Sequence, residues 1–198
     1  MKADERLKPK EFELGFEPTL RHFDRYRSCL KLLGRQGKKE SWLDCSCGSG
    51  YGTNYLSNFA SFVDGVDIFP PIVEYARETY LASNTAFHTE IPEKTYNAIV
   101  CIETIEHMPK DAAIAFLRNL KTRLTDDGDL VITTIIREET NEDPINQFHH
   151  IEYSLTDFVD VLREGGFEIL EKQLITATFT DGETKDNGFF KCKKQKGY

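Results

Sequence analysis

The stretch Trp42-Leu43-Asp44-Cys45-Ser46-Cys47-Gly48-Ser49-Gly50-Tyr51-Gly52-Thr53 decides the fold. An apolar run leads to an acid, glycines follow at alternate positions, and Thr53-Asn54-Tyr55-Leu56 resumes in a helical pattern. That succession predicts a strand, a tight loop and a helix N-terminus. Without a Cβ, Gly48, Gly50 and Gly52 allow positive φ and let a ligand lie against the backbone. The N–H groups that open the next helix suit a carboxylate or a phosphate. The expectation is a ligand loop; an ordinary tight turn is the plain alternative.

Working outward, residues 62–68 form a second expected strand that ends in Asp67, about 20 residues beyond the loop. A carboxylate at a strand's C-terminal end can accept both hydroxyl hydrogens of a ribose. Ile68 and Phe69 would then flank a base, and Pro70-Pro71 would open a helix over residues 72–80. Residues 87–90 read as a third strand, with Glu90 near the amine of that base, and residues 96–103 as a fourth. A helix over 111–124 ends at the turn Asp126-Asp127-Gly128, before a fifth strand over 130–134. Strand and helix alternate from Trp42 to Ile136, which predicts a parallel sheet covered on both faces. A polar loop over 139–147 precedes a helix over 155–164, a sixth strand over 167–175, a turn over 181–188 and a last strand over 189–192. Two strands joined by a turn must be antiparallel. Ahead of the loop, residues 19–33 are helical up to Gly34, a C-cap.

With 198 residues the chain fits one domain, divided here into an N-terminal segment with its helix (1–40) and a single core domain (41–198). A net charge of −8, with no basic block except residues 191–196, argues against phosphate-dominated binding to long nucleic acid. It leaves contact with one RNA terminus open. No window approaches the ~20 apolar residues of a membrane span, so a cytoplasmic location away from membranes is expected. Of the five cysteines, Cys45 and Cys101 suit buried reduced thiols, and Cys45-x-Cys47 is too tight for zinc.

Four pieces occur in order: Leu43-Asp44…Gly48-x-Gly50-x-Gly52, Gly65-Val66-Asp67, Ile102-Glu103-Thr104-Ile105-Glu106-His107 and Asp127-Gly128-Asp129-Leu130. Together they resemble the class I S-adenosylmethionine-dependent methyltransferases, with Ser46 where the family's first loop glycine would stand. The G-x-G-x-x-G spacing of a dinucleotide fold is different, and no second domain has room for an oxidoreductase substrate. The resemblance implies a Rossmann-like doubly wound α/β fold, with a mostly parallel seven-stranded sheet and a C-terminal antiparallel strand. It implies S-adenosylmethionine as cofactor, with Asp44, Ser46, Gly48, Ser49 and Gly50 on its methionine part, Asp67 on the ribose, and Ile68 and Glu90 about the adenine. Glu103 would lie on its near side. In His22-x-x-Arg25-Tyr26, similar to the family's N-terminal cap helix, Arg25 would close over it.

A sulfonium is an activated donor, so the protein must align the acceptor and, for a hydroxyl, remove a proton. His107, His149 and His150 are the candidate bases, being near the strand ends and able to titrate near neutral pH. The segment Asn146-Gln147-Phe148-His149-His150-Ile151-Glu152-Tyr153-Ser154 resembles that of small bacterial and phage-type methyltransferases of glycan or small-molecule pathways. That implies methylation of a hydroxyl, or other nucleophile, on a sugar-like or small-molecule acceptor, with no metal. One alternative is a metal-dependent RNA 3′-terminal 2′-O-methyltransferase, similar in a set formed by Glu103, Glu106, His107 and His149, where a divalent ion would acidify a ribose hydroxyl. Another is a catalytically degenerate cofactor- or partner-binding module, because Ser46 departs from the motif. The oligomeric state is left open.

Overall fold

The computed structural model describes residues 17–34, 37–178 and 184–196. In chain order the elements are α1 (Glu17–Leu33), β1 (Gly37–Cys45), α2 (Tyr51–Leu56), β2 (Ala60–Val66), α3 (Pro70–Tyr80), β3 (Thr85–His88), β4 (Tyr96–Cys101), α4 (Lys110–Arg123), β5 (Leu124–Arg137), β6 (Tyr153–Ser154), α5 (Leu155–Glu164), β7 (Phe167–Thr178) and β8 (Thr184–Lys194). The sheet runs β3-β2-β1-β4-β5-β8-β7, with the two-residue β6 beside the end of β5. Strands β1 to β5 are parallel to one another, and β8 is antiparallel to both β5 and β7. The expected seven-stranded architecture is therefore present, with β6 as an addition that the sequence reading did not anticipate.

Alternation along the strands sets the two faces. Trp42, Val63, Ala98 and Val131 pack beneath α1 and α2, whereas Leu43, Cys45, Ile99 and Ile132 pack beneath α4 and α5. Asp44, between Leu43 and Cys45, therefore faces α1 and α2. All five cysteines are buried and none is in a disulfide. Gly34 caps α1 at φ +71°, its N–H donating to the Leu30 carbonyl at 3.1 Å. Among the described residues no helix is long and apolar enough to cross a membrane.

Three boundaries differ from expectation. The expected turn at 126–128 lies within β5, where the register on β4 jumps from Tyr96↔Leu124 to Ala98↔Asp129. Past this bulge Asp129 is buried with Lys193 Nζ 3.2 Å from its carboxylate, while Asp126 and Asp127 stay exposed. Of the expected turn at 181–188, residues 181–183 lie outside the described residues and 184–188 already pair in β8, with Thr134↔Gly188 and Ile136↔Asp186. The first strand starts at Gly37, inside the segment assigned to the N-terminal part.

Candidate active site

The C-terminal ends of β1, β2, β4 and β5 surround a cavity of about 600 Å³, with His22, Arg25 and Tyr26 of α1 on one wall. Its floor is the loop after β1. Ser46 (φ +64°), Gly48 (φ +54°) and Gly50 (φ +89°) all take the left-handed conformation. Ser46 does so against its Cβ, at a cost of about 1–2 kcal/mol. The three glycines then separate by role. A Cβ on Gly48 would meet nothing within 4 Å, so open space lies beside it. One on Gly50 would come within 2.7 Å of the Ala76 Cβ and 2.8 Å of Phe87. One on Gly52 would stand 1.9 Å from Tyr26 Cζ, so that glycine makes room for Tyr26, not for a ligand.

Asp44 is fully buried behind the loop and does not line the cavity. The Tyr26 hydroxyl donates to both its oxygens at 3.1 and 3.2 Å, and Thr53 Oγ1 donates at 2.7 Å. Burial, only partly offset by these donors, pushes its pKa up to about 7. Asp67 lines the cavity; its Oδ2 accepts the Gly48 N–H at 3.1 Å and its Oδ1 the Phe69 N–H at 3.0 Å. Ser46, Ser49, Ile68, Glu103 and Arg25 line the cavity too, whereas Gly48 and Gly50, expected on the cofactor, are not among its lining residues. Glu90, expected near the adenine, is exposed and away from the cavity, because β3 stops at His88 and the chain turns off the sheet.

At the other end, Glu103 takes φ +47° just past β4, a strained conformation for a side chain with a Cβ. Its N–H donates to Thr133 Oγ1 at 3.1 Å, the Thr133 hydroxyl donates back to Oε1 at 2.9 Å, and Arg25 lies 3.5 Å from Oε2. Arg25 thus ties α1 across the cavity. Beside it, His22 contacts the Tyr51 hydroxyl at 3.0 Å, and burial followed by the Arg25 charge lowers its pKa to about 3, keeping it neutral.

Glu106 and His107 share the single turn Ile105–His107. Glu106 is fully buried: Oε2 accepts from Thr134 Oγ1 at 3.0 Å and Oε1 has no hydrogen-bond partner. Burial, then the charge of Glu103, raises its carboxyl well above the glutamate range. His107 Nδ1 donates to the Phe148 carbonyl at 2.9 Å, and the His149 ring stands edge-on to it at 5.0 Å. His149 Nδ1 is 2.7 Å from Glu152 Oε1, and Nε2 is 2.9 Å from Asn146 Nδ2. Burial alone would raise Glu152; its bonds to Arg137 and His149 override that and lower it. Ligand atoms of Glu106, His107 and His149 lie within 4.8 Å of one another. Glu103, the fourth member of the expected metal set, is outside this group. His150 is exposed and does not line the cavity; its backbone N–H donates to the Glu106 carbonyl at 2.7 Å. Tyr51, Asn146 and Asn187 also line the cavity and were not anticipated. Asn187 arrives on β8, and nothing local in the sequence marks it.

A family model described as a methyltransferase domain matches residues 20–172. The chain belongs to the class I S-adenosylmethionine-dependent methyltransferase family. Family members share S-adenosylmethionine as cofactor. A protein of Mycolicibacterium smegmatis, named as a probable S-adenosylmethionine-dependent methyltransferase, is 23% identical over 154 residues, covering 74% of this chain and 59% of its own. A ubiquinone biosynthesis O-methyltransferase of Vibrio cholerae is 29% identical over 93 residues, 42% of this chain and 37% of its own. The chain thus spans less than two thirds of the length of these curated relatives. Among solved structures, the N-methyltransferase NodS from Bradyrhizobium japonicum superposes with a TM-score of 0.72 at 17% identity, covering 92% of this chain and 100% of that one. The Burkholderia thailandensis 1,6-didemethyltoxoflavin-N1-methyltransferase, solved with S-adenosylhomocysteine, gives a TM-score of 0.68 at 17% identity, with 86% and 76% covered. These structures share the fold of this methyltransferase chain.

Proposed function

We propose that this chain transfers a methyl group from S-adenosylmethionine to a hydroxyl, or a comparable nucleophile, of a small-molecule or sugar-like acceptor. One observation carries the reading: the Ser46–Asp67 wall and the His107–His149 pair face the same cavity of about 600 Å³, a volume within the usual range of small-molecule sites. The residues fit the cofactor. Gly48 leaves open space beside the loop, and Asp67, fixed by the Gly48 and Phe69 N–H groups, puts a carboxylate on the cavity wall just past β2, the kind of group that accepts ribose hydroxyls. Ser46 and Ser49 are assigned to the methionine part and Ile68 to the adenine, while Asp44 supports the loop from behind. Arg25, paired with Glu103, helps to close the site.

When bound, S-adenosylmethionine supplies a methyl group already activated on a sulfonium. The chain's residues must hold the acceptor in line and take its proton. His107 and His149 are suitably placed, each with Nδ1 engaged by a fixed acceptor, so that Nε2 is the lone-pair nitrogen. The O-methyltransferase name of the Vibrio relative favours a hydroxyl acceptor, and the two N-methyltransferase folds keep an amine in view.

The test is calorimetric titration of wild type and Asp67→Ala with S-adenosylmethionine and S-adenosylhomocysteine, followed by release of the latter with methyl glycosides, catechol and glucosamine. Asp67→Ala should weaken cofactor binding about 10–10²-fold, from hydrogen bonds to a charged group worth ~1.5–3 kcal/mol. A wild type that binds neither compound would refute the reading; binding without turnover across a broad acceptor set would favour a degenerate module.

A second reading has its own observation. The unpartnered, buried Glu106 Oε1 and the neighbouring imidazoles could take a divalent cation, as a metal-dependent methylation of an RNA 3′-terminal ribose would need. Turnover of a short RNA that rises with added Mn²⁺ and is abolished by chelator would establish it. Turnover of a small acceptor in chelator would remove it.

A further inference from the structure

We infer that Glu152, locked by Arg137, is the positioning residue that holds His149 in one tautomer and aims its Nε2 at the acceptor's proton. The inference rests on the reading that the histidine end of the cavity removes that proton.

Glu152 is held from several sides. Its backbone N–H donates to the Asn141 carbonyl at 2.9 Å, and its carbonyl accepts from Asn141 at 2.8 Å. Its Oε2 accepts from Arg137 Nε at 2.5 Å, and its Oε1 faces His149 Nδ1 at 2.7 Å. A carboxylate only accepts, so the imidazole proton sits on Nδ1. The opposite flank demands the same state independently. Asn146 Oδ1 is occupied by the Phe148 N–H at 3.1 Å, which turns Nδ2, a pure donor, towards His149 Nε2 at 2.9 Å. That nitrogen must therefore carry the lone pair, an assignment made from the partners, since hydrogen positions are inferred.

The partner on Nδ1 separates His149 from His107. His107 leans on a neutral carbonyl, that of Phe148, which orients a ring but offsets little charge. His149 leans on a carboxylate, which also stabilises the imidazolium formed when a proton arrives. Asn146 and His149 line the cavity whereas Glu152 and Arg137 do not, so the Asn146 amide occupies the donor direction that an acceptor O–H or N–H takes on displacing it. In the step, the acceptor's O–H bond breaks and its proton passes to Nε2. The freed electron pair of oxygen bonds to the methyl carbon as the carbon–sulfur bond breaks, its electrons remaining on sulfur. The positive charge of the sulfonium ends on the imidazolium, beside Glu152.

The test uses the full chain labelled with ¹⁵N-histidine, the His149 signals being assigned by their loss in His149→Asn. Wild type should show His149 protonated on Nδ1 alone. In Glu152→Gln the side-chain amide can donate to Nδ1, so the tautomers should mix or reverse, and Glu152→Asp should restore the wild-type pattern in part. S-adenosylhomocysteine affinity, read on the same proteins, should stay within about twofold, because Glu152 does not touch the cofactor wall. With any member of the acceptor panel that turns over, Glu152→Gln should lower kcat about 10²-fold at unchanged KM for S-adenosylmethionine, with partial recovery in Glu152→Asp. A wild-type His149 protonated on Nε2, an unshifted tautomer in Glu152→Gln, or unchanged kcat in that variant would overturn the inference. So would turnover that needs added Mn²⁺, because Nε2 would then be a ligand. If no panel member turns over, the tautomer decides. A wild type that fails to bind S-adenosylhomocysteine refutes the functional reading instead, whatever the tautomer shows.

Discussion

Replacing Gly52 by alanine tests why the loop carries its third glycine. The added Cβ would stand 1.9 Å from Tyr26 Cζ and 2.2 Å from its hydroxyl oxygen. Tyr26 cannot step aside cheaply: it is 3% exposed and packs edge-on against Tyr51 at 5.7 Å. Moving its ring also withdraws the hydroxyl from both oxygens of the buried Asp44. Overpacking of this kind costs about 1–3 kcal/mol, and above about pH 7, where Asp44 is ionised, a lost hydrogen bond to a buried charged group adds about 1.5–3 kcal/mol. The better helix propensity of alanine returns up to ~1 kcal/mol. Gly52→Ala should therefore destabilise by about 2–5 kcal/mol, a large part of a typical total of about 5–15 kcal/mol. Urea unfolding read as a midpoint shift at constant slope measures it. Tyr26→Ala alone should cost about 3–5 kcal/mol through the cavity it leaves, and the double variant should cost no more than that, since the new methyl then has space. A Gly52→Ala cost below about 1 kcal/mol, or a double variant whose costs simply add, would show that Gly52 serves the ligand and not Tyr26.

Asp44 has a pKa of about 7 in the fold against an ordinary 3.8, so between those values the folded chain holds a proton that the unfolded chain has released. Stability should fall as pH rises from about 4 to about 7 and level off above, by at most about 4 kcal/mol from this group. Asp44→Asn should flatten that part of the slope in urea midpoints taken at pH 5 and pH 8; an unchanged slope would contradict the assignment. Glu106, raised in the same direction, retains its own share in that variant. Ser46→Gly relieves the left-handed strain at φ +64° while loosening the unfolded chain, so its stability should stay within about 1 kcal/mol of wild type. Cofactor affinity in Ser46→Gly should also hold, and a loss beyond tenfold would mean that the Ser46 hydroxyl itself binds the cofactor.

The sequence by itself determined the order of elements, the parallel sheet and its antiparallel close. Those follow from signals a few residues long: short apolar runs in β1 and β4, Pro70 at the start of α3 and Gly34 at the end of α1. The same signals placed Asp67, because a strand's end and its acid are adjacent in the chain. Direction and depth were decided only by the tertiary structure. Gly48, Gly50 and Gly52 are chemically identical in the sequence, yet one borders open space, one fits under Ala76 and Phe87 and one yields to Tyr26 on a distant helix. His149 and His150 are neighbours, but the backbone turns one towards Glu152 and the other into solvent. Glu90 left the site because β3 is short, and Asn187 entered it because β8 runs antiparallel beside β5. A side chain reaches a cavity through the register of strands far apart in the chain, and one residue of shift reverses its face.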